Sequence, residues 1–249
     1  MFTLTVGGQA GAGGPEVGLI LARSMDARYV RHLAVRRLAR RLNATVEAVS
    51  RKELSFANRW QRVLATLETA FLRMGYFAYD PAGALGSAGA YVDLPGTRTS
   101  PGEISDGEYV NAVYKTAEEL ASEGNIVLVK RAGSLTLKGF PEVINIGLFA
   151  KRDARVARMA TRLGVGIADA TDALAALERA RQAWFERLGG GDPADPSHYD
   201  VRLQTDQGET DGWVASRAIE MVGNLRPEFW FSATGLRPSP LVEEQPAYA

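Results

Sequence analysis

The sequence contains no cysteine and only two histidines in 249 residues. Without thiols the chain can form neither a disulfide nor a thiolate metal site, so nothing in it requires an oxidising compartment. No apolar run approaches the roughly 18 residues of a membrane span. The N-terminus also lacks the basic segment that opens a signal peptide. We therefore expect a cytoplasmic protein that does not enter a membrane.

An excess of charge of either sign is also missing. Lys+Arg and Asp+Glu both number 29, so the formal net charge is zero. Binding to nucleic acid or to a membrane surface through bulk charge would need a net positive chain. The basic segment 31–41 is typical of a solvated helix face, with contact to nucleic acid or to an acidic partner as the alternative. We expect no nucleic-acid partner.

Short apolar runs alternate along the chain with segments of helical periodicity. Predicted strands lie at 3–6, 28–30, 125–131, 143–150 and 199–205. This alternation predicts an α/β fold with a mainly parallel sheet. A mostly helical stretch, 31–110, is inserted between early strands and includes an irregular Gly- and Pro-rich part at 80–105. We interpret 1–225 as one domain and 226–249 as a proline-containing C-terminal tail.

The segment "VGGQAGAGGPEVG", residues 6–18, joins the first strand to the first helix. The standard phosphate-binding loop reads G-x-x-x-x-G-K-[ST]. Its glycines match here, but Gly14 stands at the lysine position and Pro15 at the hydroxyl position. Backbone amides and a helix N-terminus still favour an anion, whereas the competing interpretation is a tight turn without a ligand. The candidate phosphate-binding residues are Gly8, Gly11, Gly13 and Gly14.

Arginines recur in the second half of the chain. Arg131 closes the third predicted strand, at the edge where α/β sheets bind ligands. Arg155 and Arg158 lie one turn apart and share a helix face. An arginine cluster opposite a glycine loop would clamp a transferring phosphoryl group, although each arginine alone also fits an exposed surface position. Glu178 and Arg181, at i and i+3, would form an ordinary helix pair.

Several of these motifs resemble those of the cytidylate kinase-like family, a branch of the P-loop nucleoside monophosphate kinases. Residues 7–18, "GGQAGAGGPEVG", are similar to the family loop "SRQYGSGGREIG", which also has glycine at the lysine position. "IVLVKRAGS" is similar to "VIVGRGA", and "LERARQAWFERL" to "DxxRxxYY". The most specific match is "DPSHYDVRLQTDQ" with "DPxxYDLxxNT". The resemblance covers about residues 3–222.

The resemblance implies a three-layer P-loop kinase-like fold with a five-stranded parallel sheet in the order 2-3-1-4-5. Residues 31–110 would form the monophosphate-binding insertion and 151–190 the lid. It also implies a kinase that transfers the γ-phosphoryl group of ATP, with Mg²⁺, to CMP or dCMP, so that nucleotides are the expected partners. The family's arginine pattern is matched at Arg131, Arg155, Arg158 and Arg181, which would neutralise the transferring group. Lys130 would replace the missing loop cation.

Departures from the family pattern leave a second interpretation open. Pro15 stands where the family loop has arginine, Arg31 stands where an acidic residue is common, and Glu178 replaces the Asp of "DxxR". The competing hypothesis is a catalytically weak or inactive protein that binds nucleotide or phosphate, or serves as an interaction module on the same scaffold. The sequence indicates no metal-ligating residue and leaves the acceptor nucleotide and the oligomeric state open.

Overall fold

The computed structural model describes residues 1–30, 33–55, 97–129, 133–206 and 208–227. The strands in this part of the chain are β1 (Thr3–Gly8), β2 (Arg28–Val30), β3 (Ile126–Val129), β4 (Val143–Phe149) and β5 (Val201–Gln204). The helices are α1 (Gly14–Ser24), α2 (Leu33–Arg41), α3 (Val46–Ser55), α4 (Asp106–Glu123), α5 (Gly133–Thr136), α6 (Arg152–Leu163), α7 (Ile167–Arg187) and α8 (Asp211–Leu225). Single 3₁₀ turns lie at Pro101–Glu103 and Pro196–His198.

The five strands form one parallel sheet in the order β2-β3-β1-β4-β5. This confirms the predicted α/β class and strand order. β1 is the central strand, and its Thr5 lies opposite Leu128 of β3 and Asn145 of β4. Parallel strands have their carboxyl ends at one edge, so the loop after β1 opens at the edge where such sheets bind ligands.

The two faces of the sheet differ in chemistry. Residues Leu4 and Val6 of β1 point into an apolar core that α1 and α8 complete. Thr5, on the opposite face, donates from Oγ1 to Asn145 Oδ1 at 2.7 Å. Asp200 accepts from the backbone amide of Asn145 at 2.7 Å and from its side-chain amide at 3.2 Å. Thr5 and Asn145 are therefore buried on this face with their side chains hydrogen-bonded. The same face also carries Leu128 of β3, which belongs to a separate apolar cluster.

Helix α4 begins and ends at clear sequence signals. Ser105 accepts from the Glu108 amide, and the Glu108 carboxylate accepts from the Ser105 amide, which makes a capping box. Gly124 ends the helix with a positive φ of 65°, as its position predicted.

Two glutamates of α4 form ion pairs with the basic segment of α2. Arg37 pairs with Glu123, and Arg41 pairs with Glu119. The predicted basic face of α2 is thus partly neutralised by its neighbour α4.

Helices α6 and α7 pack against each other and are joined by the three residues 164–166. Val156 and Met159 of α6 pack with Ala170 and Leu174 of α7, and the same cluster includes Ala10 of the glycine loop. The region that the resemblance interprets as a lid therefore rests directly on the loop. Its role as a lid stays a prediction.

Three predicted features fall largely or wholly outside the described residues. They are a helix over 56–74, most of the irregular stretch 80–105, and the tail from 228 onward. From 97 on, the irregular stretch is described and contains the 3₁₀ turn capped by Ser100. Among the helices that the structure does describe, none combines the length and the apolar character needed to cross a membrane.

Candidate functional site

The glycine loop between β1 and α1 has a backbone that only glycine adopts without strain. Gly8, Gly11 and Gly13 have positive φ values of 95°, 80° and 95°. A Cβ on Gly8 would lie 2.1 Å from the carbonyl oxygen of Leu148, and one on Gly11 would lie 3.1 Å from Cβ of Arg155. The loop is therefore fixed both by its dihedral angles and by close packing against β4 and α6.

The carbonyl groups of the loop are held by the elements that surround it. Ala10 accepts from Nη1 of Arg155 at 3.1 Å, and Gly11 accepts from Nη1 of Arg158 at 2.9 Å. The carbonyl oxygen of Ala12 accepts from Oγ1 of Thr205 at 3.0 Å. Three consecutive carbonyls thus face partners on α6 and after β5. In two of these three peptides the N–H group, that of Gly11 or Gly13, donates to no acceptor in the described part of the chain.

The amide groups of the loop divide into two sets. The first set is used within the protein: Gly8 donates to the hydroxyl of Tyr199 at 2.9 Å, Gln9 to the carbonyl of Leu148 at 2.8 Å, and Ala12 to the carbonyl of Gln9 at 3.2 Å. The amides of the second set donate to no acceptor in the described part of the chain, and they belong to Ala10, Gly11, Gly13 and Gly14. Free amides in a glycine-rich turn at a helix N-terminus attract anions.

The first turn of α1 determines which groups this candidate anion site can offer to a ligand. Gly13 is the N-cap, with no side-chain cap, and Pro15 occupies the first turn, where its missing N–H leaves no intrahelical bond unmade. The helix dipole adds partial positive charge at this end. Pro15 supplies neither a backbone donor nor a side-chain oxygen, so this position offers no amide to an anion and no hydroxyl to a metal ion.

Helix α6 presents three arginines to the loop and to α1. Arg155, Arg158 and Arg162 are spaced by three and four residues, so they share one helix face. The first two bind loop carbonyls, as described above, and Arg162 forms a buried ion pair with Glu16 of α1. The predicted common face of Arg155 and Arg158 is confirmed, and Arg162 extends it. The α6 face fixes the loop and the start of α1 in position.

The guanidinium of Arg155 is almost fully committed to protein partners. Its side chain is 8% exposed and ion-pairs with Glu178 of α7. Its Nε donates to the carbonyl of Ala150 at 3.0 Å, in addition to the bond with Ala10. Glu178 also pairs with Arg152 at 3.2 Å. The described bonds of Glu178 therefore go to α6, and the sequence-based expectation of a Glu178–Arg181 pair within α7 is wrong.

Arg181 lies apart from the α6 arginines. Its guanidinium carbon is 5.6 Å from the ring centroid of Phe185, and its Nε is buried without a hydrogen-bond partner. Burial lowers the pKa of Arg181 below its ordinary value, whereas the nearby Tyr199 hydroxyl raises it. Arg181 therefore lies near Tyr199, whose hydroxyl accepts from the Gly8 amide. Both ring nitrogens of the adjacent His198 are likewise buried without a partner.

The structure describes only some of the remaining residues around the predicted site. Lys130 and Arg131 lie outside the described residues, so their place in the site stays a prediction. Asp211, at the start of α8, was not predicted, and its Oδ1 would lie 3.3 Å from a Cβ on Gly13. Among the described residues, no group of three histidine, aspartate or glutamate side chains could hold a metal ion. What the loop itself offers is a set of backbone amides, which suit an anion.

Sequence reasoning missed four residues that contact or anchor the loop. Gln9 accepts from the Ala150 amide at 2.9 Å through its side chain, and Glu16 forms the buried pair with Arg162. Tyr199 and Thr205 bind a loop amide and a loop carbonyl. The last two lie in "DPSHYDVRLQTDQ", the segment whose family resemblance is most specific. That motif was the one sequence signal that could have indicated these contacts. A motif alone does not specify which of its residues face the loop.

A glycine loop with free amides after the central strand of a parallel 2-3-1-4-5 sheet defines a P-loop kinase-like α/β protein. Within that class, the chain belongs to the cytidylate kinase-like family, whose family model matches residues 3–207. Family membership indicates a protein that acts on nucleotides. A comparison with curated proteins finds no match.

A solved structure also shares the fold. It is the crystal structure of an uncharacterized protein from Eubacterium ventriosum, with 15% sequence identity and a TM-score of 0.56. The similarity covers 90% of this chain and 98% of that chain. At this identity the likeness shows the fold alone, and the function must be argued from the site.

Proposed function

We propose that the protein is a nucleoside monophosphate kinase that transfers the γ-phosphoryl group of ATP to CMP or dCMP. The observation that carries this proposal is a set of four loop amides at the N-terminus of α1 and the carboxyl edge of the sheet, none of which has an acceptor among the described residues. Such an arrangement binds the phosphate chain of a nucleotide. The choice of CMP or dCMP rests on the family, and the cytoplasmic location is proposed with it.

The roles of the residues follow from where their groups point. The amides of Ala10, Gly11, Gly13 and Gly14 would hold the donor phosphates. Arg155 and Arg158 would add positive charge beside those phosphates while their hydrogen bonds keep the loop carbonyls turned away. We assign Arg131 and Arg181 to neutralising the transferring group, and Lys130 to replacing the loop cation, as the family pattern implies.

In the reaction, an oxygen of the acceptor phosphate bonds to the γ-phosphorus of ATP while the bond from that phosphorus to the bridging oxygen breaks and ADP leaves. Such transfer depends mainly on positioning and on neutralising charge. The fixed loop supplies positioning, and the arginines supply charge. Mg²⁺, when bound, would supply further charge neutralisation for the donor phosphates.

A second candidate function is phosphate or nucleotide binding without catalysis, as a ligand-binding or interaction module. Two observations favour it. Gly14 and Pro15 leave the loop without a cation and without a hydroxyl, and Arg155 already has protein acceptors for its donors. Under this hypothesis the arginines are structural supports of the loop, and the bound nucleotide is not turned over.

Titration of the purified protein separates these functions. ATP, GTP, CMP and dCMP are each added with and without Mg²⁺, binding is followed by calorimetry, and ADP formation is measured with donor and acceptor together. The kinase hypothesis predicts binding of one donor and one acceptor, and turnover only when both are present. Binding without ADP formation selects the second function. Absence of any binding contradicts both.

A further inference from the structure

Tyr199 makes the most direct side-chain contact with the start of the glycine loop. It is 6% exposed and follows the 3₁₀ turn that precedes β5. Its hydroxyl accepts from the Gly8 amide at 2.9 Å and donates to the carbonyl of Pro193 at 2.7 Å. Both partners are backbone groups of segments far apart in sequence. One buried hydroxyl therefore connects the loop to the segment that follows α7.

The Tyr199 ring is held by the backbone beneath it. A Cβ on Gly147 would lie 2.5 Å from Cγ of Tyr199, and a Cβ on Gly7 would lie 2.9 Å from Cε1. The two glycines are opposite each other in β1 and β4, so together they leave the space that the ring fills. Phe149 packs against the ring edge to face, with centroids 5.8 Å apart. These contacts hold the ring, and with it the hydroxyl, against β1 and β4.

The bond to the Gly8 amide determines how the chain leaves β1. Gly8 has a φ of 95°, and the next amide, that of Gln9, donates to Leu148 of β4. These two bonds orient the first peptides of the loop, and the next two amides, those of Ala10 and Gly11, donate to no acceptor in the described part of the chain. If the hydroxyl is removed, the buried N–H of Gly8 loses its acceptor. An unsatisfied buried donor raises the free energy of the folded state, so we expect the peptide between Gly7 and Gly8 to rotate.

We propose that Tyr199 is a positioning residue for the phosphate site, which fixes the first peptides of the loop and links them to the segment after α7. The hydroxyl touches no substrate in this role and acts through the Gly8 peptide. The effect on ligand binding rests on the proposed function, whereas the effect on loop geometry does not.

The test compares Tyr199→Phe with the matched control Tyr114→Phe. Tyr114 also donates from a part-buried hydroxyl to a backbone carbonyl, that of Leu188 at 3.0 Å, but it makes no contact with the loop. Both variants keep the ring and lose one hydroxyl. Three quantities are measured: the thermal midpoint, the amide ¹H–¹⁵N shifts of Gly7–Gly14 in ligand-free protein, and the affinity for inorganic tripolyphosphate.

We expect Tyr199→Phe to shift the loop amides and to weaken tripolyphosphate binding about tenfold, the scale of one lost buried hydrogen bond. Tyr114→Phe should leave both quantities unchanged while lowering the thermal midpoint to a similar extent. The proposal is overturned if the loop amides of Tyr199→Phe superimpose on those of the parent, or if both variants lose the same affinity.

Two further results distinguish a failure of the positioning role of Tyr199 from a failure of the proposed phosphate site. A parent protein that binds no tripolyphosphate contradicts the phosphate site, yet the amide shifts still decide whether Tyr199 positions the loop. If Tyr199→Phe does not fold, hydrogen exchange in the parent decides: the Gly8 amide should be protected, while the Ala10 and Gly11 amides exchange rapidly. A Gly8 amide that exchanges as fast as Gly11 overturns the proposal.

Discussion

At the scale of single residues, Gly8 combines two constraints that the rest of the loop depends on. Its φ of 95° disfavours any side chain, and a Cβ there would lie 2.1 Å from the backbone oxygen of Leu148. Backbone of a central strand cannot move aside as the end of a flexible side chain can. The turn from β1 into the loop therefore requires glycine for steric reasons as well as conformational ones.

We predict that Gly8→Ala destabilises the fold by at least about 3 kcal/mol, since overpacking adds to the cost of a left-handed alanine. Gly139→Ala is the matched control, because Gly139 has a similar φ of 86° with no heavy atom within 4 Å of its Cβ position. The control should lose only about 1 kcal/mol. Urea denaturation measures both values, and equal losses would contradict the close contact with Leu148.

At the scale of elements, the α6 arginines join three parts of the molecule. Arg155 connects the loop, the end of β4 and α7, whereas Arg152, one turn earlier, pairs only with Glu178 among the described residues and is half exposed. Two arginines of one helix, with a common carboxylate partner, thus differ mainly in burial and in their bonds to backbone carbonyls. Substituting each arginine in turn therefore distinguishes the stabilising effect of buried bonds to backbone carbonyls from that of an exposed ion pair.

We predict that Arg155→Ala lowers the free energy of unfolding by about 2–3 kcal/mol, because buried carbonyls lose a charged donor. Arg152→Ala should cost less than about 1 kcal/mol, as exposed ion pairs do. Chemical denaturation provides both numbers. Equal losses in the free energy of unfolding for the two variants would show that the bonds of Arg155 to backbone carbonyls do not stabilise the fold. The guanidinium of Arg155 could then turn to a ligand without loss of stability.

Glu123 provides an electrostatic link between elements. Hydrogen bonds from Arg37 of α2 and then Arg28 of β2 lower its pKa from 4.5 to about 2. A carboxyl group whose pKa is lowered by folding adds stability above its unfolded pKa and loses it as the pH falls toward the folded value. The contribution of Glu123 is therefore complete above about pH 4.5 and is lost by about pH 2.

We predict that Glu123→Gln is less stable than the parent at neutral pH, by less than about 1 kcal/mol because the side chain is solvent-screened. The difference should shrink as the pH falls from 4.5 to about 2, over the interval between the two pKa values. Denaturation at several pH values measures it, with the exposed Glu142→Gln as control. A difference that grows on acidification would show the opposite sign of linkage.

At the scale of the whole molecule, the central question is whether a loop that lacks its cation and its hydroxyl limits the protein to binding. The structure leaves room to restore both groups. A Cβ on Gly14 would lie 3.9 Å from Val6, an ordinary van der Waals distance, and Gly14 has helical geometry. Pro15 lies in the first helical turn, where serine is readily accommodated.

We predict that the double variant Gly14→Lys with Pro15→Ser binds ATP·Mg²⁺ about tenfold more tightly than the parent, since it gains a charge-assisted bond and a metal ligand. The control, Gly14→Ala with Pro15→Ala, changes the same positions without adding either group. Calorimetry compares the three proteins, and ADP formation with CMP is measured in parallel. A folded double variant with the affinity of its alanine control would show that the remainder of the site no longer accepts the nucleotide.

The predicted strands correspond closely to β1–β5, and helix ends at Gly124 and Gly164 follow directly from glycine signals. These features are local, so a sequence pattern specifies them. The common face of Arg155 and Arg158 was predictable for the same reason. What those arginines bind was not predictable, because a guanidinium is equally suited to a phosphate and to a backbone carbonyl, and only the position of the loop distinguishes the two.

The sequence by itself determined the order of strands and helices, the glycines of the loop and the absent cation, because each depends on residue type and spacing. The tertiary structure decided that Arg155 and Arg158 hold loop carbonyls, that Glu178 pairs across to α6, and that Tyr199 reaches Gly8 from 191 positions away. Hydrogen bonds have a range of about 3 Å. Partners distant in sequence are therefore fixed only when the folded backbone brings them within that range.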